Sequence, residues 1–186
     1  QSMGGHPVLD LTIQDVKPNA VAGFEVPALV TGAAERIVAE RAADGVWFLA
    51  GGSHNSVAIE MKDHLMVVEA PLYDGRSAPM LAEAKRRGNS KPVRYVVNSH
   101  HHFDHSGGLR TAVAEGATLV TSEVARSYFE QTLANPNRIR PDAMERSGKG
   151  ATVTGVTGKR VFTDGERVVE VHYITGSLHA QGFMMV

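Results

Sequence analysis

The 186 residues predict an α+β fold, a four-layer αββα sandwich in which two packed sheets are flanked by helices. Three observations carry this prediction. Residues 46 to 69 read as strands joined by tight turns. Residues 76 to 133 then alternate helix with strand. Asp164-Gly165 lies between two β-rich runs, a strong hairpin signal.

Taken in order, Gln1-Ser2-Met3 resembles the remnant of a cleaved expression tag, and residues 4 to 34 are punctuated by Pro and Gly around short apolar runs such as Val8 to Ile13. Residues 1 to 34 are therefore an expected irregular lead-in, and 35 to 186 the globular domain. Val46-Trp47-Phe48-Leu49-Ala50 is a strand closed by Gly51-Gly52. Ser56 to Met61 alternates, turns at Lys62-Asp63-His64 and returns as Leu65 to Glu69, an antiparallel meander. Arg76 to Arg87 has helical spacing, with Met80, Leu81 and Ala84 on one face and Gly88-Asn89 as its stop.

A strand at 93 to 98 follows Lys91-Pro92. The next helix spans 107 to 115, with Ser106 as its N-cap, Leu109, Ala112 and Val113 at helical spacing, and Gly116 as its end. A strand at 117 to 120 leads into a helix from Ser122 to Leu133, whose Val124, Tyr128, Phe129 and Leu133 form a stripe for packing. Residues 135 to 150 are polar and interrupted by Pro and Gly, an expected mobile loop near the site mouth with Asp142 solvated. Arg160 to Thr163 and Glu166 to Ile174 are the arms of the hairpin.

Composition excludes several classes. The formal net charge is -1 with no long basic run, so nucleic acid is a poor partner. A hydrophobic content of 42% is enough for one real core at this length. Cysteine is absent, which removes disulfides, cysteine-ligated zinc and a cysteine nucleophile. No apolar stretch approaches the roughly 20 residues that span a bilayer, so no membrane partner is expected. The N-terminus lacks a signal pattern, and the compartment stays open between cytoplasmic and exported with the signal removed.

One segment stands out. His100-His101-His102-Phe103-Asp104-His105 gathers four of the nine histidines and a carboxylate into six residues. Imidazole and carboxylate are the ligand types that suit zinc and related divalent ions. In an extended segment alternate side chains share a face, so His100 and His102 can reach one ion while His101 and Phe103 point away. If a helix starts next, Asp104 and His105 diverge toward a second ion. The preceding β-rich run places the cluster at the C-terminal end of a strand, where α/β folds build their sites.

Asn98 to Gly108 resembles the H-x-H-x-D-H signature of the metallo-β-lactamase fold superfamily. The resemblance, which runs from about Glu35 to the last residue, implies zinc, one ion or two, with His100 and His102 at the first site and Asp104 and His105 at the second. It also implies a third first-site histidine in a loop opening a downstream strand. His179, in Gly176 to Gly182 ahead of Phe183-Met184-Met185-Val186, fits that place. Family members continue with a bridging Asp and a last second-site His. Neither occurs before Val186, so the sandwich is expected to be partial, its second half incomplete. A sheet edge and core face are then left uncovered, so the chain is expected to pair with another copy or to show disorder around the metal loop, and to bind one ion weakly or none. Where many members carry an Asp-x-Gly turn this chain has Glu69-Ala70-Pro71, and Glu69 is either a support for the metal loop or a strand-end carboxylate.

The function this implies is a hydrolase in which zinc-bound hydroxide attacks an ester-, thioester- or lactam-like bond of a small molecule. Asp104 is the expected catalytic residue, orienting the nucleophile and taking its proton. A non-catalytic metal-binding or interaction domain and a phosphodiesterase-type member are the alternatives. His54, after Gly51-Gly52-Ser53, is expected at most at the site rim. His64, His101 and His172 are expected to be structural.

Overall fold

The computed structural model describes all residues except Gln1, Gly4, Gly5, Val8, Ala20, Val21, Ala22, Phe24, Gly32 and Ala34. Parts of the expected lead-in, including Val8 of the run Val8 to Ile13, therefore lie outside the described residues. The chain divides into two compact units, Gln1–Ala33 and Ala34–Val186. In the first, two-residue strands β1 (Ser2–Met3) and β2 (His6–Pro7) pair antiparallel, and a single helical turn α1 spans Ala28–Thr31. Its Leu11, Ile13, Val16 and Leu29 are exposed.

The second unit is built on a seven-stranded mixed sheet. Strands β3 (Val38–Ala43), β4 (Val46–Ala50), β5 (Ser56–Glu60) and β6 (Leu65–Val68) form an antiparallel meander. From β6 the pairing turns parallel through β7 (Val93–Val97), β8 (Thr118–Ser122) and β9 (Val153–Val156). Parallel neighbours need crossovers, and helices supply them. Helix α2 (Asp74–Arg87) links β6 to β7, and a helical turn α3 (Phe103–Ser106) with α4 (Leu109–Glu115) links β7 to β8. Helices α5 (Glu123–Ala134) and α6 (Ala143–Ser147) link β8 to β9. A second sheet holds the hairpin β10 (Lys159–Thr163) and β11 (Val168–Tyr173), with β12 (Met184–Met185) against β11.

The expected sandwich is present as helix layer, large sheet and small sheet, its second half incomplete. Alternation along the central strands divides the core in two. Ala58, Val67, Val96 and Leu119 face the helices and pack with Met80, Leu81, Leu109 and Phe129. Their neighbours Ile59, Met66, Val97 and Val120 face the small sheet and pack with Phe162, Val169, Val171 and Met184. Such runs, apolar on both faces, mark strands covered on both sides. Among the described residues no helix is long and apolar enough to cross a membrane.

Several expectations need correction. Strands β3 and β9 were not anticipated. In α5 the buried row is Ala125, Phe129 and Leu133, whereas Val124 and Tyr128 are exposed. Ser106 is not an N-cap, because the chain becomes helical already at Phe103. The Ser106 hydroxyl instead donates back to the His102 carbonyl at 2.9 Å.

The segment 135–150 packs on α4, and Asp142 is only 8% exposed rather than solvated. It caps α6 by accepting the Glu145 N–H at 2.8 Å and pairs with the Arg110 guanidinium. Burial pushes its carboxyl up, but Arg110, the Glu145 amide and Asn137 outweigh this and hold it at about 2. A folded pKa below the ordinary carboxylate value means that the stabilisation is complete above about pH 4 and fades as pH falls toward 2. Asp142→Asn is accordingly expected to cost about 2 kcal/mol at pH 7, through the lost cap charge and the unpaired Arg110. Urea titrations of both proteins from pH 7 to 3 should show the gap narrowing at the acid end. A constant gap would contradict this account.

Candidate metal centre

β7 ends where its neighbours leave two backbone groups to steer the chain. The Asn98 N–H donates to the Val120 carbonyl at 2.9 Å, and the Ser99 N–H donates to Glu69 Oε1 at 2.8 Å. His100 follows, 2% exposed, with His102 extended at φ -61° and ψ 142° just before α3. Asp104 and His105 then fall in the first turn of that short helix, so they diverge from the pair behind them as the spacing predicts.

The far loop is drawn in by two further bonds. The Ile174 N–H donates to the Phe183 carbonyl and the Met184 N–H to the Ser99 carbonyl, both at 2.8 Å. Phe183 lies against the His100 ring, centroids 5.2 Å apart. Closed in this way, the loop brings His179 Nε2 to 3.0 Å from His100 Nε2. The sequence had placed His179 beside the motif by resemblance alone.

Two groups of ligand atoms result. His100, His102 and His179 form the first, and His54, Asp104 and His105 the second, each with its atoms within 4.8 Å of one another. The groups adjoin, since the His100 and His105 rings are 4.2 Å apart. Tetrahedral zinc with Zn–N near 2.0–2.1 Å holds its nitrogens about 3.3 Å from each other, so the first group fits that ion by its donor chemistry and its crowding. A hydrogen bond of 2.8 Å between Ser99 Oγ and His100 Nδ1 favours the tautomer whose Nε2 lone pair faces inward. Burial, reinforced by the His105, His102 and His179 rings, lowers the His100 pKa to about 4, so this ring is neutral and ready to ligate at pH 7.

Glu69 supports the loop and is more than a strand-end carboxylate. It is buried and holds φ at +70°, a strained backbone for a residue with a side chain. Besides the Ser99 amide, its carboxylate accepts from Asn98 Nδ2 at 3.3 Å and faces His105 Nδ1 at 3.4 Å. The bond from Glu69 raises the His105 pKa, against burial, which lowers it. Glu69→Gln is expected to weaken metal binding 10- to 100-fold, the usual cost of losing a partner that orients a ligand. Zinc competition with a chromophoric chelator measures this, and unchanged affinity would reduce Glu69 to a fold residue.

Asp104 Oδ2 lies 2.9 Å from His54 Nε2 and 3.8 Å from His105 Nε2. Burial is the largest single influence on it and raises its pKa. Its own amide, His105 and His54 more than offset this, leaving the carboxyl below its ordinary value. His54 thus stands inside the site rather than on its rim. Its sequence signal was faint, a histidine in a Gly-Gly-Ser turn. His101 joins neither group and sits edge-on to Tyr128 at 5.7 Å. His64 bonds Asp63 at 2.6 Å and His172 bonds Glu170 at 2.9 Å, both structural roles.

A sequence model of the Metallo-beta-lactamase superfamily matches residues 49–180. Among solved structures, a metallo-β-lactamase from Pontibacter korlensis is 18% identical with a TM-score of 0.61, covering 80% of this chain and 65% of its own. The Cronobacter sakazakii metallo-β-lactamase with the HARLDQ motif is 22% identical with a TM-score of 0.56, covering 78% and 57%. The metallo-β-lactamase MIM-1 from Novosphingobium pentaromativorans is 20% identical with a TM-score of 0.54, covering 75% and 51%. This chain therefore spans less than two thirds of the length of each. No curated protein matches it.

Proposed function

Since the chain belongs to the metallo-β-lactamase superfamily, we propose that it is a zinc-dependent hydrolase of an ester-, thioester- or lactam-like bond in a small molecule. The observation that carries this reading is the convergence of His100, His102 and His179 beside a second group containing Asp104. When bound, zinc at such donors acidifies water toward a pKa of about 7 and polarises a carbonyl oxygen.

The chain's own residues supply the rest. His100 and His179 hold their nitrogens converged through the Ser99 and Met184 bonds, so little reorganisation is needed on binding. Asp104, ionised at neutral pH, is the group placed to orient the attacking water and take its proton. Glu69 fixes His105 and the start of the metal loop together. Fold likeness alone does not select the bond that is cleaved.

The test is zinc titration of the full chain followed by assay against a panel of esters, thioesters and lactams. Hydrolysis that disappears with chelator and returns with zinc supports the proposal. Zinc binding without turnover of any panel member makes this a non-catalytic metal-binding domain, and turnover confined to phosphodiesters replaces the substrate class.

A further inference from the structure

We propose that His54 is a ligand of the second metal site, joining Asp104 and His105 from the loop between β4 and β5. The inference rests on the metal-dependent reading above, and deepens it. The donor comes from ahead of the motif, whereas the resemblance expects the last histidine of this site to follow the first-site ligands in sequence.

Three features argue for ligation. His54 Nε2 and Asp104 Oδ2, 2.9 Å apart, are near the separation that two donors on one small cation adopt. The His105 ring lies edge-on to the His54 ring at 5.4 Å, so three donors face one point from two different segments. His54 also repeats the arrangement at His100. Each has its Nδ1 bonded to the hydroxyl of the preceding serine, Ser53 at 2.7 Å and Ser99 at 2.8 Å, which leaves Nε2 aimed into the cluster.

The loop that carries His54 is held by a buried guanidinium. Arg76, wholly buried on α2, donates from Nε to the Gly51 carbonyl and from Nη2 to the His54 carbonyl, both at 2.8 Å. A Cβ on Gly51 would lie 3.0 Å from Arg76 Cζ, so the missing side chain there lets the guanidinium approach. A buried cation is costly unless its donors are used. Committing Nε and Nη2 to the backbone of one turn, with Nη1 left without a partner among the described residues, makes sense if the position of that turn matters. Arg76 is thus a positioning residue for His54.

The full chain, stripped of metal, is titrated with Zn2+ against a chromophoric chelator and with Co2+ followed by its visible absorption. The wild type should bind two equivalents. His54→Ala should weaken the second equivalent by more than about 100-fold, beyond the usual cost of losing a supporting partner. It should also lose the absorption of the second Co2+ and leave the first intact. His54→Gln keeps a hydrogen-bond donor for Asp104 and should fail equally. Arg76→Met should weaken the second equivalent alone, with circular dichroism confirming the fold. Two unchanged equivalents in His54→Ala, or rescue by His54→Gln, overturn the proposal while the hydrolase reading survives. A wild type that binds one equivalent, lost in His102→Ala, does the same. No binding at all in the wild type sinks both.

Discussion

Replacing His102 with alanine is expected to lower kcat/KM, on whichever substrate the panel identifies, by about 10²–10³-fold or more, the scale on which hydrolases lose one preorganised electrostatic group. The expectation follows from where its ring sits. The His100 and His179 rings are its neighbours in the first ligand group, with centroids 4.7 and 4.8 Å away. His102 lies on a loop at intermediate exposure and outside both core clusters. Its removal should therefore cost at most about 0.5 kcal/mol, which for a chain of this size shifts Tm by about 2 °C or less. The comparison should be made on metal-free protein, since a bound ion raises apparent stability by mass action. Turnover that survives in His102→Ala removes the catalytic reading. A large fall in Tm would mark His102 as structural instead.

A second large effect is expected away from any ligand. Gly107 closes α3, and a Cβ built there would lie 2.0 Å from the Leu72 carbonyl oxygen and 2.8 Å from the Phe103 carbonyl oxygen. Both are backbone atoms, so no rotamer change relieves the clash. Leu72 has little freedom to retreat, since it is itself held at φ +64° and Gly108 next door donates to the Ala70 carbonyl at 2.9 Å. Gly107→Ala should cost at least about 3 kcal/mol, or roughly 6–12 °C in Tm, and should impair metal binding because the turn bearing Asp104 and His105 must move. Gly150→Ala, where nothing lies within 4 Å, is the control and should be neutral within about 0.5 kcal/mol. Equal melting of the two variants would show that the contact at Leu72 yields easily.

The metal loop was legible because its signal is local. His100, His102, Asp104 and His105 are fixed relative to one another by the strand-to-helix passage they occupy. The meander, α2 and the Asp164-Gly165 hairpin were legible for the same reason. Asp164 accepts from the Glu166 and Arg167 amides, as a turn residue should. What escaped depends on distant partners. In β3, Ala39, Glu40, Arg41 and Ala42 prefer helix, and only pairing with β4 across Asp44-Gly45 makes them a strand. In β9, Gly155 weakens the pattern, yet its lack of a side chain admits Glu123, whose Oε2 lies 1.8 Å from where a Cβ would stand. Asp142 looked solvated because Arg110, far ahead in sequence, cannot be seen from its neighbourhood. His54 was underrated likewise, its place being set by a buried arginine on another element.

The parallel half of the large sheet governs when this site can come into being. Its donors come from residue 54, which Arg76 of α2 ties down, from residues 100–105, which follow the parallel strand β7, and from residue 179, whose loop is tied back through the Met184–Ser99 bond. Parallel crossovers and long loops close slowly. During synthesis the N-terminal meander emerges first, while His179 is still unmade. Metal loading is therefore a finishing step, one that reports the completed topology and cannot serve as the seed around which the chain condenses.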